Sequence, residues 1–217
     1  MGARITFDNS QELELQHWIN QMWKASYKYS DLLCCRECPI APRLILLNVL
    51  VRSALFWCAG SWHLTHRQLS KLRAAQQAVL RKMLRLRCRP DETTEDFCTR
   101  YARSIKDALH QHGQEPWDVI YHKLVFTWAG KISRMGKNCP DRLTYKIFRT
   151  RDWQTIQDIA HQNGGNQLHC RRFRVWRWEQ QVYKCFQGSP QTWRKAAENP
   201  QRWSDLFDEM VLMRSYA

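Results

Sequence analysis

The chain has 217 residues, 44% of them hydrophobic, with eleven Trp and only eight Gly and seven Pro, enough to bury one core or two small ones and too apolar for a disordered basic tail. Thirty-four Lys and Arg against 20 Asp and Glu leave a net charge of +14, which directs attention to a negatively charged partner, nucleic acid first, although a membrane surface or an acidic protein would also be attracted. Nine Cys is an odd number, and Met1 to Ser10 holds Arg4 and Asp8 with no apolar run behind it. Reduced thiols in the nucleus or cytoplasm are expected, not a secreted disulfide framework.

In chain order almost every segment reads as helix, so the expected fold is all-α. Asn9 and Glu12 make a capping-box-like start, and Leu15, Trp18, Ile19, Met22 and Trp23 recur at three- and four-residue steps, predicting a first helix that reaches Leu33. Pro42 suits the first turn of a second helix, which Gly60 would end. Leu46, Leu47, Leu50, Val51 and Leu55 give it a broad apolar surface. The run Leu44 to Cys58 is interrupted by Asn48 and Arg52 and falls short of the ~20 apolar residues that a bilayer span needs, so it reads as a buried core helix and no membrane partner is expected.

Thr65 and Gln68 form a capping box for a third helix, taken to extend to about 87, in which Leu69, Leu72, Val79, Leu80, Met83 and Leu86 mark one face. This helix lies in the most one-sided part of the chain. Between Glu37 and Asp91, 53 residues carry ten Lys and Arg and no acid. A solvated helix surface usually mixes charge signs, so Arg73, Arg81, Lys82, Arg85, Arg87 and Arg89 are the main candidates for phosphate contact. Long Arg stems lying over apolar surface are the structural alternative. A fourth helix from about Thr94 to His112 stops before Gly113, and a fifth from Pro116 to about Arg134 stops before Gly136.

Five helices over 1–136 therefore form the first expected unit, and 137–217 the second, with the boundary somewhere in 136–166. Short helices are expected over 141–149 and 152–161, then a breaker at Asn163-Gly164-Gly165-Asn166. Beyond it, Arg171, Arg172, Arg174 and Arg177 interleave with Phe173, Trp176 and Trp178, a composition suited either to phosphate attraction with base stacking or to a helix that buries Trp176. Ser189-Pro190 and Asn199-Pro200 announce two more helices. Trp18, Trp62, Trp128, Trp193 and Trp203 are expected mainly in the core.

Several stretches together resemble the segment after the catalytic palm in reverse transcriptases of LINE-type, non-LTR retrotransposons. Gly2-Ala3-Arg4-Ile5 resembles the short strand after the primer grip, usually Leu-Gly-x-x-Ile, with Met1 in the place of Leu. Trp23, Leu33, Pro42-Arg43-Leu44, Leu47, Val51, Ala54-Leu55-Phe56-Trp57 and Trp62-His63-Leu64-Thr65 resemble the first thumb helices, with Phe56-Trp57 for the frequent Tyr-Gly and Gly60 for the frequent Glu. Gln76-Gln77 and Leu80-Arg81 within Leu69 to Leu84 match the leucine helix of the family. Trp128-Ala129-Gly130-Lys131-Ile132-Ser133-Arg134-Met135 resembles its Trp-x-Gly-His signature with Lys131 for His, so a metal or proton role of that His does not transfer. Arg177-Trp178-Glu179, Gly188, Trp193, Ala196-Ala197, Trp203 and Phe207 resemble its terminal pattern.

This resemblance implies a helical thumb that binds a template-primer, RNA or DNA, through its backbone beside an upstream palm. The palm carboxylates themselves have no counterpart. No two Asp are adjacent anywhere in the chain, whereas two-metal nucleotidyl transfer needs closely placed carboxylates to hold its cations. The expectation is a non-catalytic fragment or degenerate copy, with no cofactor. Nuclease chemistry has equally little footing, because Pro90-Asp91 and Pro140-Asp141 are not followed by a Lys with an acid two positions before it. Cys34, Cys35 and Cys38 include a Cys-x-x-Cys pair with zinc-compatible spacing and His161, His169 and Cys170 could complete a site, but regular finger spacing is missing and no metal is expected. Two rival readings stay open: a helical interaction module for an acidic protein, and a remnant with no selected role.

Overall fold

The structure, a computed structural model, describes residues 12–136, 139, 178, 181–182 and 190–215. Among these residues the fold is all-α, with no strand. The expected strand at Gly2 to Ile5, the Asn9 cap, the helices over 141–149 and 152–161, the breaker at 163–166, and Arg171, Arg172, Arg174 and Arg177 lie outside them. Among them, too, no helix is long and apolar enough to cross a membrane. By backbone proximity the chain groups into two compact units, 1–59 with 64–121, and 60–63 with 122–217. The expected boundary in 136–166 falls almost wholly outside the described residues.

In the first unit, α1 (Glu12–Lys28) buries Leu15, Trp18, Ile19 and Met22, the stripe anticipated from their spacing. The helix does not continue to Leu33. Tyr29 turns out of the helical region at φ −107° and ψ 21°, and a short α2 (Ser30–Leu33) follows. The second expected helix begins at Ile40 with Pro42 in its first turn. It comprises α3 (Ile40–Leu46), a π-helical turn (Leu47–Arg52) and α4 (Ser53–Leu55). It ends well before Gly60, because Phe56 leaves the helical region and Cys58 takes a φ of 58°. Leu44, Leu47, Val51 and Leu55 are buried. Leu46 and Leu50 are only half-buried and Ile45, Val49 and Trp57 are exposed, so the run from Leu44 packs one stripe into the core and is not the broadly buried helix expected. Each such side chain taken out of water contributes about 1.5–3 kcal/mol before entropy is counted.

The capping box of α5 (His66–Met83) forms as its residues suggest: the Gln68 N–H donates to Thr65 Oγ1 at 3.4 Å and the Thr65 N–H donates to Gln68 Oε1 at 2.8 Å. Its buried stripe is Leu72, Ala75, Val79, Leu80 and Met83. The helix stops four residues short of 87. Arg85 adopts a left-handed φ of 53°, and the Leu86 N–H reaches back to the Arg81 carbonyl at 3.1 Å while the Arg85 N–H reaches that of Lys82 at 3.1 Å. This is a Schellman-type ending with Arg where Gly is usual. Apolar spacing through Leu86 masks it in the sequence, because a left-handed cap leaves no signature when its residue is not Gly.

α6 (Thr94–Gln111) starts on Thr93, whose Oγ1 accepts the Asp96 N–H at 3.2 Å, and ends before Gly113 at φ 58°. α7 (Trp117–Arg134) follows. Its start is tied to α5 by Gln76, buried, whose side-chain oxygen accepts the Trp117 N–H at 2.9 Å, and Tyr121 accepts the Leu64 N–H at 3.0 Å.

The second unit is organised by tryptophans. Trp128, Trp178, Trp193 and Trp203 form a chain of ring contacts with centroids 4.7, 6.5 and 6.3 Å apart. The Trp178 indole donates to the Gly60 carbonyl at 2.8 Å and the Trp203 indole to that of Phe126 at 3.1 Å. α8 (Pro190–Glu198) and α9 (Pro200–Ser215) begin on the two prolines that announced them, with Asn199 Oδ1 accepting the Arg202 N–H at 3.1 Å. Trp18, Trp62, Trp193 and Trp203 are buried and Trp128 is half-buried.

Candidate nucleic-acid interface

The six cations singled out from 65–89 do not form one stripe on one helix. Arg73 is engaged within the first unit: its Nε donates to Asp118 Oδ2 at 2.7 Å and its Nη2 lies 2.6 Å from the same oxygen. The Asp118 side chain is 5% exposed and that of Arg73 47%. This guanidinium compensates a buried carboxylate, which takes Arg73 out of the phosphate-binding set. Arg43, within the thumb-like Pro-Arg-Leu stretch, is also structural: buried, it donates to the carbonyls of Leu33 at 3.3 Å and Met83 at 3.1 Å.

Four of the remaining cations converge. Arg81 and Lys82 from the last turn of α5, with Arg85 and Arg87 from the segment after it, line an open cleft of about 570 Å3 together with Ala74, Gln77, Ala78 and Tyr101. None of the side chains that line this cleft is acidic. Among the described residues none of the four cations forms a salt bridge. Arg89 is exposed on the same segment but outside the lining. The helix end thus does what a longer helix could not: the left-handed Arg85 breaks the 3.6-residue period, and Arg81, Lys82, Arg85 and Arg87 come to share a space.

The segment carrying Arg85, Arg87 and Arg89 is pinned by one ion pair. Arg100 donates to both oxygens of Glu92, from Nε at 2.6 Å and from Nη2 at 2.7 Å, and Nη2 also donates to the Arg87 carbonyl at 2.9 Å. The Arg89 N–H donates to Glu92 Oε2 at 3.1 Å. The hydrogen bonds from Arg100 hold the Glu92 carboxyl down to about 2, and Glu92 raises Arg100 in turn. Glu92 thereby fixes the backbone of the basic segment while its charge is taken up by Arg100, leaving the cleft cations uncompensated.

Three aromatics border those cations. Lys82 Nζ lies 3.8 Å from the ring centroid of Tyr27 on α1. The Arg81 guanidinium lies 4.8 Å from the Phe97 ring and 5.9 Å from that of Tyr101, both on α6. Sequence reading missed Tyr27 and Tyr101, which lie 55 and 20 residues from the cations they meet, and no local spacing rule links them.

Cys35 and Cys38 interact across the turn before α3. Hydrogen bonds from the Cys38 and Glu37 backbone hold the Cys35 thiol below its ordinary range, while the bond to Cys35 pushes Cys38 up. Among the described residues no group of three or more His, Cys, Asp or Glu could hold a metal ion; His161, His169 and Cys170 lie outside them. No family model, curated protein or solved structure matches the chain.

Proposed function

We propose that the chain is a nucleic-acid-binding helical segment of LINE-type reverse-transcriptase parentage, with no catalysis of its own, that grips the sugar-phosphate backbone of a template-primer. The observation that carries the binding is the cleft in which Arg81, Lys82, Arg85 and Arg87 meet without an acid among the lining residues. Four like charges brought together repel one another, and phosphate is the partner that turns this repulsion into attraction. The parentage rests on the residue patterns from Gly2 to Phe207 and the all-α fold agrees with it. Phosphate contacts fix register without reading sequence, so affinity should vary little with base order.

The direct test is fluorescence anisotropy with a labelled mixed-sequence duplex, competed in turn by unlabelled duplex and by polyglutamate. Competition by duplex at far lower charge concentration than polyglutamate is expected. Equal or better competition by polyglutamate would favour the acidic-protein reading, and no binding to the duplex or to either of its single strands would end the proposal.

A further inference from the structure

The phosphate reading leaves the two tyrosines unused. Tyr27, from α1, and Tyr101, from α6, stand with Lys82 and Arg81 of the intervening helix α5. Tyr27 is 63% exposed, high for an aromatic on a helix that packs four apolar side chains into the core. Lys82 Nζ over the ring and the Trp23 ring, its centroid 5.8 Å away, hold Tyr27 in place, and much of its surface is still open to water. Tyr101 forms part of the cleft wall itself, and its hydroxyl donates to Gln77 Oε1 at 3.3 Å.

A groove that combines cations with accessible rings has a specific physical use. In a duplex the base faces are covered by their neighbours, so the exposed Tyr27 and the half-buried Tyr101 gain nothing from it. In a single strand every base offers a free π-face, and stacking adds to the phosphate attraction without demanding a sequence. From the placement of Tyr27 and Tyr101 beside the acid-free cleft, we infer that this site takes an unpaired stretch of nucleic acid, bases stacking on the two rings and phosphates meeting Lys82, Arg85 and Arg87. The inference rests on the nucleic-acid reading of the same cleft and specifies the form of the ligand.

The test uses the full chain and three labelled probes, about ten nucleotides per strand, within the site sizes known for such grooves: oligothymidylate, the same backbone without bases, and a duplex, with affinities compared per phosphate because the duplex carries two strands. Thymidylate should bind at least about fivefold tighter than the abasic strand, the lower end of what one stacked base contributes. Tyr27→Leu and Tyr101→Leu should each remove much of that advantage, bringing the ratio of thymidylate to abasic affinity toward one. Tyr27→Phe and Tyr101→Phe, which keep the rings, should retain it, and this also separates stacking from any loss of fold at Tyr101. Equal affinity for thymidylate and abasic strand would overturn the stacking while leaving the phosphate reading in place. Tighter binding to the duplex than to thymidylate would also overturn it. No binding to any probe would overturn both.

Discussion

Replacing Arg73 with Ala separates a structural cation from a binding one. Asp118 is 4% exposed, and both guanidinium contacts fall on Oδ2. Its Oδ1 has no hydrogen-bond partner among the described residues. Without Arg73 the carboxylate stays buried with no cation beside it. Breaking a fully buried pair costs about 3–5 kcal/mol; half of the Arg73 side chain is in water, which discounts this to about 2–3 kcal/mol. Urea denaturation followed by tryptophan fluorescence reads the effect. With an m-value of about 2–3 kcal/mol/M, the midpoint should fall by about 1 M. Asp118→Asn in the Arg73→Ala background should recover part of the loss, because a neutral amide is cheaper to bury than an unpaired charge. The affinity for nucleic acid and its salt dependence should stay at the parent values. An Arg73→Ala protein as stable as the parent, with a salt slope reduced by about one contact, would refute the assignment and return Arg73 to the interface.

The Glu92–Arg100 fork makes the basic segment sensitive to acid. A carboxyl held at about 2 in the folded chain contributes stability that is complete above its unfolded value of about 4.3 and is lost as pH falls through about 2. Hydrogen exchange of the amides in 85–93 should therefore accelerate across that window, relative to the intrinsic rate, and Glu92→Gln should show fast exchange already at neutral pH. Identical protection in parent and variant would remove Glu92 from its anchoring role. In the second unit, a Cβ on Gly130 would stand 2.6 Å from the Trp203 indole nitrogen and 2.8 Å from its Cδ1. Gly130→Ala should cost about 1–3 kcal/mol and alter the near-ultraviolet circular dichroism of the tryptophans; an unchanged spectrum and midpoint would contradict the packing of Trp203 against α7.

The helices were legible where their signals are local. Thr65 with Gln68, Pro190, Pro200, Gly113 and the apolar stripe of α1 each act within one or two turns, so a linear reading recovers them. Tryptophan as core was legible for Trp18, Trp62, Trp193 and Trp203, which are buried because a side chain of that size has few places to go, and only in part for Trp128, which is half-buried. The end of α5 was not, because Arg85 takes a conformation that sequence assigns to Gly, and the expected basic stripe to 87 became a helix end followed by a turn. Charge counting found Arg81, Lys82, Arg85 and Arg87 as cations but could not tell them from Arg73, whose partner Asp118 lies 45 residues on. Which cation is neutralised is a tertiary fact. The same limit hid Tyr27, and the interleaved Arg171 to Trp178 cluster, equally prominent in the sequence, is not described apart from Trp178, which is buried.

The central claim is that the cleft at the end of α5 binds phosphate, and the salt dependence of binding tests it most directly. Affinity for a mixed-sequence duplex is measured from about 50 to 200 mM monovalent salt for the parent and for the variant carrying Lys82→Ala, Arg85→Ala and Arg87→Ala. Three lost contacts at about 0.9 each should flatten the slope of log K against log salt by about 2.7, with the unfolding midpoint of the variant close to that of the parent. A parent slope near zero, or a variant slope as steep as the parent's, would contradict the account.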